Sequence, residues 1–212
     1  MEGTKHMNGL IRRALLAATA TIAATMAIAA PASAGILTAS ESNCGDETLS
    51  QPFRAFGDTA SYKKVAGGSF EGSMTGWTLK GAKVVSGNEP WKVGGASHTK
   101  SLTLPAGSTA ISPSVCVGLA EPTLRFFAKK NSGLLTTLAV TVYVKTSLGL
   151  TVPVPMGVVT GNGTWKPTPR MLIVANLLPL LPGDKTPVRF QFTPVLGSWS
   201  IDDVYVDPMR YR

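Results

Sequence analysis

The side chains able to do chemistry in this 212-residue chain are few and scattered. Its acids include Glu71, Glu89, Glu121 and the adjacent pair Asp202-Asp203. Two carboxylates flanking one bond can hydrolyse a glycoside. Neighbours on a regular strand point to opposite faces, however, so Asp202 and Asp203 would not act on one bond. The histidines are His6 and His98 alone, and His98 sits in Ser97-His98-Thr99-Lys100. A serine, His98 and an aspartate can meet in space whatever their spacing. The chain nevertheless has no G-x-S-x-G elbow and no histidine pair for a metal. No catalytic residue is assigned.

Binding chemistry is better represented. Sugar recognition uses aromatic faces for stacking and planar hydrogen-bonding groups for orientation. Three stretches alternate so that one face carries such groups: Arg125, Phe127 and Lys129; then Thr141, Tyr143 and Lys145; then Arg189 and Gln191. If these stretches are neighbours, they form a basic, partly aromatic platform. The plainer alternative is the solvated face of an antiparallel sheet, and a one-residue slip would invert every assignment. Trp91 and Trp165 lie in loop-like contexts, where each either offers a stacking surface or folds back over the core. Trp77 and Trp199 read as core residues.

The elements carrying these residues are strands. Ser101–Leu104, Glu121–Lys129, Leu138–Lys145, Leu150–Val159, Val188–Phe192 and Trp199–Val206 show apolar alternation or short apolar runs. The turns between them are rich in glycine and proline, of which the chain has 22 and 15. Met171–Leu178 alone permits a short helix, with a strand as the equal alternative. Many short strands punctuated in this way predict an all-β antiparallel sandwich or barrel. Phe53, Phe56 and Tyr62 read as packing groups of a strap over the core. Leu177–Pro182 is unusually apolar and reads as a packed or contact segment.

The first 34 residues are set apart. Lys5, Arg12 and Arg13 precede the uncharged, alanine-rich run Ala14–Ala30, and Pro31-Ala32-Ser33-Ala34 supplies a small-residue cleavage site. This predicts a signal peptide, residues 1–34, and a secreted protein, with no membrane insertion after cleavage. Residues 35–62 then form an N-terminal extension strapped to the domain, 63–208 the sandwich, and 209–212 a tail. Without the leader, the 20 basic and 12 acidic residues fall to 17 and 11, a net charge of +6. The basic residues are scattered, which argues against nucleic acid and leaves a mild attraction to anionic surfaces. Cys44 and Cys116 are the only cysteines; in an exported chain they predict one disulfide.

The two ends of the domain carry a resemblance. Gly68, Phe70, Glu71, Gly76 and Trp77 match the N-G-x-F-E…G-W opening of galactose-binding-like jelly rolls, which include many carbohydrate-binding modules. Trp199, Ile201, Asp202, Asp203, Val204 and Val206 match their closing Y/W-x-I-D-D-V-x-V strand. The phrases VVSGNEPW, LPAGSTAISPSVCVG and TLRFFA also resemble a group of secreted bacterial proteins, so the similarity spans residues 44–208. It implies a jelly-roll β-sandwich and, from the carbohydrate-binding relatives, a structural Ca2+. Glu71 with Asp202 or Asp203 would supply its carboxylates, and position in the matched strand favours Asp202. Calcium takes six to eight oxygens, so backbone carbonyls would complete the shell.

These readings lead to a secreted, non-catalytic binding module whose partner is an extracellular or cell-envelope glycan. The other readings are a structural or adhesive surface protein working through protein contacts and, further off, a hydrolase. The sequence leaves oligomeric state open.

Overall fold

The computed structural model describes residues 48–118, 121–173 and 185–207, all within one compact unit, Ala34–Arg212. The leader, the 209–212 tail, Cys44 and the Leu177–Pro182 segment lie outside the described residues.

Among the described residues, fourteen strands are shared between two antiparallel sheets. They are β1 (Leu49–Ser50), β2 (Tyr62–Lys64), β3 (Thr78–Lys80), β4 (Lys83–Ser86), β5 (Lys100–Leu104), β6 (Thr109–Ile111) and β7 (Val115–Gly118). There follow β8 (Thr123–Ser132), β9 (Thr137–Lys145), β10 (Thr151–Val159), β11 (Lys166–Pro167), β12 (Met171–Leu172), β13 (Lys185–Val195) and β14 (Ser198–Asp207). One sheet runs β1-β2-β14-β5-β4, with β8 also on β14 and β11 and β12 on β8. The other runs β10-β9-β13-β6-β3, with β7 also on β13. Successive strands cross between the sheets repeatedly, as in jelly rolls. Met171–Leu178 begins as strand, β12, and its residues 174–178 lie outside the described residues.

Period-two patterning explains the sandwich. On β9, Leu138, Val140, Val142 and Val144 are buried while the residues between them are half-buried. On β13, Val188, Phe190 and Phe192 are buried in the same way. They meet Leu102, Leu124, Phe126 and Ile201 of the other sheet in one hydrophobic cluster. Trp77 and Trp199 belong to that cluster, and their indole N–H groups donate to Ala66 O and Thr136 Oγ1, at 2.8 and 2.9 Å. Burying an indole is favourable only when its N–H keeps a partner. On β10, Pro153 and Pro155 sit on a strand paired, among the described residues, only with β9, where a missing amide costs least.

The outer side of the first sheet is covered too. Residues 51–60 cross it as a strap containing a short 3-10 turn, Arg54–Phe56. Phe53 stacks on Phe127 at 5.4 Å and meets Tyr62 and Tyr205 edge-on at 4.9 and 5.8 Å. With Ala60 these rings form a second, smaller cluster, so β14 is buried on both faces. No cysteine among the described residues is free.

Candidate functional site

The structure divides the predicted platform. β9 and β13 are neighbours, but β8 lies in the other sheet. Arg125 and Phe127 are therefore not part of a shared open face, because the strap occupies their side. Phe127 is fully buried. Arg125 Nε donates to Thr168 O at 2.8 Å and Nη1 to Asp58 Oδ2 at 2.5 Å, and its guanidinium lies 4.4 Å from the centre of the Phe53 ring. Alternation assigned their face correctly. What it lacked was the covering segment, which comes from more than 60 residues earlier in the chain.

Tyr143, Lys145, Arg189 and Gln191 do come together. Register places Pro153, Tyr143 and Arg189 on one rung of the second sheet. The next rung holds Pro155, Thr141, Gln191, Ile111 and Thr78. Tyr143, Arg189 and Gln191 are half-buried and Lys145 is exposed. None of the four belongs to either hydrophobic cluster. The Tyr143 hydroxyl donates to Gln191 Oε1 at 2.9 Å, and Gln191 Nε2 donates to Thr193 Oγ1 at 3.0 Å. Arg189 Nε donates to Ser112 O at 2.8 Å, and its Nη2 reaches Gly76 O and Thr78 Oγ1 at 3.3 and 3.2 Å. A ring, an amide and a guanidinium are thus held in fixed orientations on a sheet face. Side chains fixed in this way lose little entropy when a ligand binds.

Trp91 and Trp165 lie elsewhere, beside the strap. Trp91 is exposed and packs edge-on against Phe56 at 4.8 Å. Trp165 is half-buried against the smaller cluster, with Lys129 Nζ 5.2 Å from its ring centre.

The acids form a separate pocket that alternation misread. β14 contains a bulge: Asp202 pairs with Phe127, yet Tyr205 pairs with Arg125, so this strand carries one extra residue. The extra residue is Asp203, with a left-handed φ of 48°. Asp202 and Asp203 are consequently not divided between two faces. Both are buried and both meet the loop that connects β4 to β5. Asp202 Oδ2 accepts from Glu89 N at 3.2 Å and its Oδ1 from Asp203 N at 2.8 Å. Glu89, also buried, accepts from Trp91 N and Val93 N, each at 2.6 Å, and so folds the loop around its carboxylate. Among the described residues no well-aligned donor reaches either Asp203 oxygen, and Nδ1 of His98 is likewise buried without a partner there. These two groups converge on Gly94: a Cβ there would overlap Asp203 Oδ1 and stand 2.7 Å from His98 Nδ1. Burial pushes the Asp202 pKa up, and the Asp203 charge adds to it. Burial likewise raises Asp203, with Glu89 adding and Lys64 opposing.

Glu71 and Asp202, two of the residues expected to bind calcium, both accept backbone amides. Glu71 Oε1 accepts the amides of Thr99 and Lys100 at 2.6 Å each, pinning the start of β5. Both Asp202 oxygens are occupied by amides. Among the described residues no three His, Cys, Asp or Glu side chains are arranged to hold a metal ion. The sequence named Glu89 and His98 only as catalytic candidates and did not single out Gly94 or join the three to the aspartates; the Gly94-Gly95 pair before His98 was the available signal.

Several solved structures are similar in fold. One is the N-terminal part of Clostridium thermocellum xylanase 10B, a family 22 carbohydrate-binding module with its catalytic module, complexed with xylohexaose. It is 17% identical, with 66% of this chain and 27% of that chain covered and a TM-score of 0.47. A xylan-binding domain of the same module family is 16% identical over 73% of this chain and 99% of its own, with a TM-score of 0.46. A family 61 module solved with β-1,4-galactotriose is 20% identical over 68% and 96%, with a TM-score of 0.40. No family model matches the chain, and no curated protein matches it in sequence.

Proposed function

We propose that this protein is a secreted, non-catalytic module that binds an extracellular or cell-envelope glycan on the outer face of the β9–β13 sheet. The observation that carries the reading is the hydrogen-bonded row of Tyr143, Gln191 and Thr193 beside the anchored Arg189. The ring can stack on a pyranose face while the amide and guanidinium take hydroxyls, and Lys145 at the end of the face favours an anionic polymer. The alanine-rich leader supports export, and in that compartment Cys116 pairs with Cys44.

Retention of the protein on cell-wall material and on insoluble polysaccharides tests this. We expect retention that a defined soluble oligosaccharide competes, weakened about tenfold or more by Tyr143→Ala, which removes the stacking ring. Trp91→Ala should leave retention unchanged. Folded protein that passes every polymer, or retention abolished merely by salt, would overturn the reading.

A further inference from the structure

At the end of the sandwich where β8 crosses to β9 and β13 crosses to β14, the tips of two inter-sheet connections lie side by side. Leu134 and Leu135 on the first are 96% and 87% exposed; Val195 and Leu196 on the second are 46% and 70% exposed. Leu196 and Gly197 have φ of 61° and 74°, both in the left-handed region. Asparagine or glycine suits the first of those positions; leucine there is strained by its Cβ. The chain therefore places an apolar side chain in solvent on a backbone that disfavours it. A local cost of this kind points to use rather than to packing.

The tips are also held together. A Cβ on Gly133 would stand 3.1 Å from the Cα of Gly197, and one on Gly197 would overlap Ser132 O. The Ser132 and Ser198 hydroxyls bond at 3.0 Å. The backbones touch, and the aliphatic side chains project away from them.

The charge around the tips is one-sided. Lys130 pairs with Trp199, three residues short of Gly133. Lys80 faces Thr109, next to the Ala110–Phe192 pair, and Lys83 faces Thr103, which pairs with Ser200. At about 3.3 Å per residue these lysines lie within roughly 10 Å of the tip level. The connections at this end (80–83, 104–109, 132–137, 159–166 and 195–198) contain no aspartate or glutamate.

We infer that this end docks on an anionic lipid bilayer. Leu134, Leu135 and Leu196 enter the acyl boundary, and the surrounding lysines meet the headgroups. Apolar insertion and basic residues act together in such binding, and neither alone holds a protein firmly.

The test is vesicle co-sedimentation of the compact unit, residues 34–212, first shown to melt cooperatively. The probes are phosphatidylglycerol–phosphatidylcholine and pure phosphatidylcholine vesicles. We expect binding to the anionic vesicles, weak binding to the neutral ones, and loss of about tenfold or more in the triple variant Leu134→Ser, Leu135→Ser, Leu196→Asn. The asparagine relieves the turn, so the variant should melt no lower than the parent. As an independent readout, Leu135→Trp should shift to the blue with anionic vesicles and be quenched by brominated lipid. Equal vesicle binding by parent and triple variant would overturn the inference. So would a parent that ignores vesicles but self-associates through the leucines, which would make the tips a contact between copies.

Discussion

Replacing Asp58 by alanine should detach the strap from the sheet it covers. The Asp58 carboxylate accepts from Tyr62 Oη at 2.6 Å, Ala60 N at 3.2 Å, Arg125 Nη1 at 2.5 Å, and Arg170 Nε and Nη2 at 3.1 and 2.6 Å. Burial pushes its pKa up, but the bonds from Arg170, Tyr62 and Ala60 outweigh burial and hold the carboxyl well below the usual carboxylate range. The two arginines differ: Arg125 is 12% exposed and Arg170 44%. The Arg170 pair is therefore worth about 0–1 kcal/mol, whereas removing the partner of a buried Arg125 costs about 3–5 kcal/mol. Taking the larger effect alone, and about 2–4 °C per kcal/mol in a domain of this size, the melting temperature should fall by about 6–20 °C. Urea titration followed by tryptophan fluorescence measures the same loss as a shifted midpoint. Adding Arg125→Met removes the stranded charge and should recover a substantial part of the loss. A loss below about 1 kcal/mol, the scale of a surface pair, or a double variant less stable than the single one, would refute the reasoning.

Three further predictions concern the acid pocket. Asp202 and Asp203 have raised pKa values, so the folded state holds their protons more tightly than the unfolded chain does. That contribution favours folding at low pH and is lost as pH rises from the ordinary 3.8 to about 8; urea midpoints measured across this range should fall, and Asp203→Asn should flatten the slope. Calcium or chelator should leave the midpoint unchanged, and a calcium-dependent rise would make Asp203 a ligand after all. Gly94→Ala should destabilise by about 1–3 kcal/mol, because its Cβ meets Asp203 and His98; a neutral result would mean that the loop shifts freely.

The sequence by itself determined the sandwich, and it determined which side of most strands faces the core. Leu138, Val140, Val142 and Val144 need no partner to be recognised as one face, because a strand's period is fixed by its own backbone. For the same reason Tyr143 and Lys145, and separately Arg189 and Gln191, could be read as facing away from it. Only the tertiary structure decided that β9 and β13 are neighbours while β8 is not, and that residues 51–60 cover Arg125 and Phe127. Covering and pairing are long-range events, set by which apolar surfaces meet after collapse. It also decided the fate of Asp202 and Asp203. Alternation holds only while strands stay in step, and the extra residue at Asp203 turns both acids toward the loop held by Glu89.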